Sequence, residues 1–187
     1  MIVGISGYAA AGKDTAADAL VAEAGFIKVS FADPMRSMAA AMDPIVGIHR
    51  DDSGLPVPVR YVEAVISLGY TDAKVAYPEI RTFLQRLGTD AGREVLGVDV
   101  WVEAAMARIP DGADVVFADM RFENEAAAIE ARGGVTVRIK RPGVAPPNDH
   151  VSEVALDEWP FMERLSNDST VEALSGAIME VIAKHRR

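Results

Sequence analysis

Short apolar runs without polar alternation recur along the chain, each followed by a segment with helical spacing. Ile2–Ser6, Phe26–Phe31, Val115–Ala118 and the β-branched run Val135–Ile139 are such stretches. Runs of this kind mark strands covered on both faces, the habit of parallel sheets. A last strand is expected near Met162–Leu165. Helical patterns run from Lys13 to about Ala24, Met35 to Met42, Tyr61 to Leu68 and Pro78 to about Gly88. Three more cover Asp99–Arg108, Glu123–Arg132 and Val171 to about Lys184. Gly25, Asp43-Pro44, Pro110-Asp111-Gly112 and Gly133-Gly134 stop them. Asp33-Pro34 reads as a helix start, with Asp33 as N-cap and Pro34 at the first helical position. Ser169-Thr170-Val171-Glu172 reads as a capping box. Pro44 to Pro58 is expected to be irregular, because Pro56, Pro58 and the polar turn His49–Gly54 discourage regular structure.

Strands alternating with helices predict an α/β fold: a mostly parallel sheet with helices on both faces. Roughly eighty residues separate the second strand from the Val115 strand, too many for one crossover helix. The chain is therefore expected to be one domain. Its core is about 1–43 and 113–187, a helical insertion is about 44–112, and a lid loop is about 141–153. Ligands of open parallel sheets bind beyond the C-terminal ends of the strands. That rule gathers the loop after Ile2–Ser6, Asp33, Asp119 and the insertion around one crevice.

Composition narrows the classes. The 187 residues are half hydrophobic and one quarter charged, which is globular usage. The absence of cysteine removes disulfides, a thiol nucleophile and Cys-based zinc, and is compatible with the cytoplasm. Neither a secretion signal nor a membrane-length apolar stretch is present. The net charge of −9 argues against a nucleic-acid surface built on cations. No nucleic-acid or membrane partner is expected, and monomer and homodimer both stay open.

Gly7-Tyr8-Ala9-Ala10-Ala11-Gly12-Lys13-Asp14-Thr15 joins the first strand to the first helix. Strand, glycine-bounded loop, Lys and hydroxyl, then helix, is the layout of a phosphate-binding P-loop. Small residues such as Ala10 and Ala11 let backbone N–H groups turn towards an anion, and the helix N-terminus adds further donors. Lys13 then neutralises the β and γ phosphates. The strict pattern has Ser or Thr directly after Lys. Here Asp14 stands there and Thr15 follows, so Asp14, Thr15 and Asp119 are all candidates for holding Mg²⁺. Asp119 has an alternative role as a helix N-terminal acid or solvated loop residue.

Further candidates follow. Arg121 lies two residues beyond Asp119. Arg81, Gln85 and Thr89 recur every four residues and share one helix face. Guanidinium groups match phosphate oxygens in pairs, so this stripe suits an anionic acceptor, although a solvated helix face is the usual meaning of such a stripe and the one the residues alone favour. Arg93 joins it near Gly88 and Gly92. Arg138, Lys140 and Arg141 lead into the proline-rich loop, where a basic lid would close over the triphosphate. Asn167 and Asp168 suit capping or a base contact. The histidines lack metal-ligand spacing.

The chain resembles the bacteriophage-type deoxynucleoside monophosphate kinases. The resemblance rests on Gly7–Thr15, Phe31-Ala32-Asp33-Pro34-Met35-Arg36, Leu84-Gln85-Arg86-Leu87-Gly88-Thr89-Asp90-Ala91-Gly92-Arg93 and Asp99-Val100-Trp101. Asp119-Met120-Arg121-Phe122-Glu123-Asn124-Glu125 and Asp149-His150-Val151-Ser152-Glu153 complete it. It implies a P-loop kinase core, a monophosphate-binding insertion, a lid, and ATP- and Mg²⁺-dependent phosphorylation of a deoxynucleoside monophosphate. It raises Asp33, Arg36, Arg81, Gln85, Thr89, Arg93 and Arg121 as acceptor ligands. Lys13, Asp33 and Arg121 become the catalytic set, and Arg138 and Arg141 join the ATP site. The alternatives are another small-molecule P-loop kinase, of the dephospho-coenzyme A kinase kind, and a noncatalytic ATP-binding module.

Overall fold

The structure is a computed structural model that describes residues 1–146 and 154–186. The motif Asp149–Glu153 and part of the expected lid lie outside the described residues. The chain separates into two compact units, residues 1–31 with 105–187, and residues 32–104.

The first unit is built on a five-stranded sheet. Its strands are β1 (Ile2–Ser6), β2 (Ile27–Val29), β5 (Val115–Phe117), β6 (Val135–Lys140) and β7 (Glu163–Ser166). The order across the sheet is β2-β5-β1-β6-β7, and every neighbouring pair is parallel. Helices α1 (Lys13–Ala24) and α8 (Val171–His185) cover one face. There Val3, Ile5, Val116, Val137 and Ile139 bury against Ala16, Leu20, Leu174 and Ile178. Helix α7 (Glu123–Ala131) covers the other face with Ala126 and Ile129, both fully buried. The apolar runs lack alternation because both faces are roofed.

The second unit contains α2 (Asp33–Met42), a hairpin of β3 (Ile45–Arg50) and β4 (Pro56–Arg60), α3 (Tyr61–Ala76) and α4 (Glu79–Arg86). A π-helical segment (Leu87–Arg93), the one-turn α5 (Glu94–Leu96) and the start of α6 (Val100–Met106) follow. Its own core is Ala39, Val46, Val59, Tyr61, Ala64, Ala73, Ile80, Leu84 and Leu87. This unit starts at Ala32, earlier than the expected residue 44, because Ala39 and Met35 of α2 pack into that core.

Three expectations are corrected. The stretch 44–58 is a hairpin, not an irregular segment. Pro56 and Pro58 face Arg50 and Ile48 across it. Being two residues apart, they turn their missing donors to the same unpaired edge, where proline costs no ladder bond. The N-cap of α2 is Ala32, not Asp33, since the Arg36 N–H donates to the Ala32 carbonyl at 2.9 Å. The N-cap of α8 is Thr170, whose hydroxyl accepts from the Ala173 N–H at 3.2 Å. The third residue of α8 is thus Ala173, and Ser169 with Glu172 does not form the reciprocal box. The expected helix from Tyr61 to Leu68 does end there, at Gly69 (φ 78°, ψ 157°), and a second helical stretch of α3 then continues to Ala76.

Candidate functional site

In a sheet whose strands all run one way, the residues that follow each strand share one edge. Gly7–Lys13 follow β1, Ser30 follows β2, Asp119 and Arg121 follow β5, Arg141 follows β6 and Asn167 follows β7. This is where an α/β sheet binds ligands.

The loop after β1 has a defined shape. The Lys13 ammonium donates to the carbonyls of Gly7 at 2.6 Å and Tyr8 at 2.9 Å, and the Ala11 N–H donates to Tyr8 O at 3.1 Å. Gly12 caps α1 at φ 104°. The conformation favours glycine, and a Cβ there would stand 2.6 Å from Asn167 Nδ2 and 2.9 Å from Leu174 Cδ2, so it would also push the Asn167 amide aside. Ala10 adopts φ 61°, a left-handed conformation that costs an L-residue about 1–2 kcal/mol. Ala11 is buried. Asn167 Nδ2 donates to the Ala11 carbonyl at 2.9 Å, so its amide supports the loop. Ala10, Lys13, Thr15, Arg141, Asn167 and Ser169 are among the residues lining a cavity of about 340 Å³. Loop N–H groups and the N-terminus of the twelve-residue α1 suit that cavity to an anion.

Of the residues expected at this site, Asp14 lines the same cavity while ion-paired to Lys28, and Arg138 is held in the interior instead. Asp14 is exposed, and its carboxylate accepts from Lys28 Nζ at 2.8 Å, an ammonium it shares with Asp18 at 2.9 Å. The carboxylate expected to hold the metal is thus engaged in a surface ion pair. Arg138 is not a lid residue. It is 4% exposed on the sheet, because its position on β6 opposite Ser6 points it into the interior. It donates to Ser6 Oγ at 3.0 Å and to Asp157 Oδ1 at 2.5 Å. Arg141 does stay at the loop, 3.5 Å from the Ala10 carbonyl, while Lys140 is exposed.

Asp119 ties two strand ends together. Its carboxylate accepts from Ser30 Oγ at 2.5 Å and from the Phe31 N–H at 3.2 Å. Arg121 is exposed, and its backbone N–H donates to the buried Glu125 at 2.7 Å. Glu125 also accepts from the Phe122 N–H at 3.1 Å, which fixes the turn carrying Arg121 into α7.

The second unit holds the other candidates. Arg36 donates to Asp33 at 3.2 Å and lies over the Tyr70 ring, 4.7 Å from its centroid. Lys74 Nζ is 4.2 Å from the same centroid, and Arg81 Nε donates to the Lys74 carbonyl at 3.3 Å. Burial, then the charges of Arg81 and Arg36, pull the Lys74 ammonium below its usual pKa. Among the described residues, no carboxylate forms an ion pair with Lys74 or Arg81. Lys74 was missed in the sequence, although it stands four residues after Tyr70 on a helix, the spacing at which a cation reaches an aromatic ring.

Arg81 and Gln85 lie exposed on α4, but Thr89 leaves their row, because the helix widens to π geometry from Leu87. Trp101 packs against the widened segment. Its indole N–H donates to the Gly88 carbonyl at 2.8 Å, and a Cβ on Gly92 would meet the ring at 2.5 Å. The Gly88-x-x-x-Gly92 spacing and Asp99-Val100-Trp101 are therefore two halves of one packing unit. Arg93 closes the π segment, half-buried.

These observations define a class, the P-loop α/β proteins: a phosphate loop after the central strand of a parallel sheet, with an inserted helical unit. No protein-family model matches the chain. It is 28% identical over 204 residues to a mimivirus protein (Acanthamoeba polyphaga mimivirus) named "Putative deoxynucleotide monophosphate kinase", covering 97% of this chain and 96% of that one. An uncharacterised protein, ORF77 of Ictalurid herpesvirus 1, is 32% identical over 139 residues, which are 70% of this chain and 56% of that protein. Among solved structures, shikimate kinase from Aquifex aeolicus aligns at TM-score 0.47 and 10% identity, covering 98% of this chain and 96% of that one. TT1252 from Thermus thermophilus aligns at TM-score 0.49 and 17% identity, covering 98% and 97%. The phosphate loop and the parallel sheet place the chain among the P-loop α/β proteins, and its similarity to the viral relative extends over nearly the full length of both.

Proposed function

We propose that the protein transfers the γ-phosphoryl group of ATP to a deoxynucleoside 5′-monophosphate. The observation that carries this reading is a group of cations in the inserted unit. Arg36 and Lys74 both lie over the Tyr70 ring, Arg81 donates to the Lys74 carbonyl, and Lys74 and Arg81 lack an acidic partner among the described residues. In a chain of net charge −9, concentrated cations of this kind suit a bound phosphate. The loop and Lys13 suit the triphosphate. A phosphate oxygen of the acceptor attacks Pγ, the bond from Pγ to the β–γ bridging oxygen breaks, and ADP leaves. Lys13 neutralises charge that builds on the transferring group, and Arg121 is proposed to do the same from the Asp119 turn. Asp33 holds Arg36 in place.

The donor chemistry fits Mg²⁺ carried mainly by phosphate oxygens, with few protein ligands. Among the described residues no cluster of three or more acids and histidines could hold a metal alone. Asp14, Thr15 and Asp119 are the residues that would hold it: Asp14 lines the cavity with Thr15 while paired to Lys28, and Asp119 accepts from Ser30. When bound, the ion supplies charge neutralisation at the phosphates.

A coupled ADP-release assay over all common deoxynucleoside and nucleoside monophosphates tests the reading. ADP is expected only when a nucleoside monophosphate is present, with deoxynucleotides among those accepted. Turnover with none of them would overturn it.

A further inference from the structure

A buried arginine in the middle of a sheet needs a reason, because removing a guanidinium from water costs several kcal/mol unless partners restore its contacts. Arg138 has four. Ser6 and Asp157 accept its N–H groups. The Tyr8 ring covers it at 4.7 Å from the centroid, and Phe161 lies at 5.8 Å. Asp157 is bridged on both oxygens, since the Tyr8 hydroxyl donates to Oδ2 at 2.7 Å while Arg138 takes Oδ1. That hydrogen bond also raises the Tyr8 phenol above its usual pKa and keeps it a donor.

Tyr8 is the second residue of the phosphate loop. Its backbone carbonyl accepts both from Lys13 Nζ and from the Ala11 N–H. A continuous chain of contacts therefore runs from Arg138 through Asp157 and the Tyr8 side chain to the carbonyl that positions Lys13. The opposite side of the loop is held separately, by Asn167 on the Ala11 carbonyl.

We propose that Arg138 and Asp157 are positioning residues that act through the Tyr8 side chain to hold the phosphate loop and Lys13 in the geometry that receives the triphosphate. The proposal rests on the kinase reading above for its substrate but not for its contacts. It assigns the Arg138 charge to the loop's shape, not to direct contact with ATP.

The test is direct ATP binding, by calorimetry, together with steady-state KM for ATP and for the acceptor. It is made on wild type, Tyr8→Phe, Asp157→Asn, Arg138→Lys and the Tyr8→Phe/Asp157→Asn pair. Loss of one hydrogen bond to a charged group predicts about 10-fold weaker ATP binding for Tyr8→Phe, with the acceptor KM within about twofold. Arg138→Lys is not expected to rescue, because an ammonium lacks the planar fork that serves Ser6 and Asp157 at once. In the double variant the Tyr8→Phe effect is expected to vanish, since both changes cut the same link. Additive effects, or ATP affinity unchanged in Tyr8→Phe and Asp157→Asn, would overturn the proposal. So would equal weakening of ATP and acceptor, the mark of a merely structural role. Wild type that binds ATP while phosphorylating no deoxynucleotide would sink the acceptor reading and leave the loop-holding proposal standing on its own binding data.

Discussion

Lys13 and Lys74 show how differently two lysines can be prepared for a phosphate. Lys13 rests on the carbonyls of its own loop, ready to be shared with an incoming anion. Lys74 is held over an aromatic ring beside two arginines, with its ammonium disfavoured by burial and by their charge. Replacing Lys13 with Ala is expected to reduce phosphoryl transfer by about 10²–10³-fold, the scale of losing one preorganised electrostatic group. Retained transfer would refute the loop's role. Lys74→Ala and Arg81→Ala are each expected to raise the acceptor KM by about 10-fold or more while ATP affinity stays within twofold, since each removes one charge-assisted contact. Calorimetry with ATP and kinetics with the acceptor separate the two sites.

At the scale of elements, local sequence signals were right about type and wrong where a neighbour intervened. The Arg81, Gln85, Thr89 row assumes an unbroken 3.6-residue helix, but the backbone widens to π geometry from Leu87 to Arg93, where Met35 packs over Gly88, the Trp101 ring packs over Gly92, and the indole N–H donates to the Gly88 carbonyl. Gly92→Ala is the informative change. With a Cβ forced to 2.5 Å from the indole, overpacking is expected to cost about 1–3 kcal/mol. A thermal melt is expected to drop by several degrees, at about 2–4 °C per kcal/mol for a chain of this size, with the acceptor KM rising more than that for ATP. An unchanged melt would show that the indole simply moves aside. The hairpin at 45–60 teaches the same lesson from the other side. Two prolines argue against a strand until their spacing is seen to put both on a free edge.

For the whole molecule, stability against acid depends on a few joints between elements. Glu163 of β7 accepts from Lys184 at 2.5 Å and His185 at 2.8 Å, both at the end of α8. The Lys184 hydrogen bond first, and then His185, hold the carboxyl below its usual pKa. A carboxyl lowered in the folded state stabilises the fold above its unfolded pKa of about 4.3 and loses that contribution as pH falls through the folded value. Glu163→Gln is therefore expected to lower the melting temperature at pH 7 by a few degrees, the link being discounted to about 1 kcal/mol because Lys184 is exposed. The difference from wild type is expected to shrink towards pH 3. A constant difference across that range would assign the loss to packing instead. Among the described residues, no helix is long and apolar enough to cross a membrane.

The amino-acid order alone determined the strand–helix alternation, the phosphate loop and the two specific motif runs, because these depend on periodicity, turn chemistry and residue spacing within a few positions. Tertiary structure decided which charged groups serve which site, because that depends on neighbours far away in the chain. Asp14 was drawn to Lys28, Arg138 was buried on Asp157, and Lys74 was brought to Arg36 by a shared ring. A charged residue costs free energy when it leaves water unpaired, so its role is fixed by whichever partner the fold delivers.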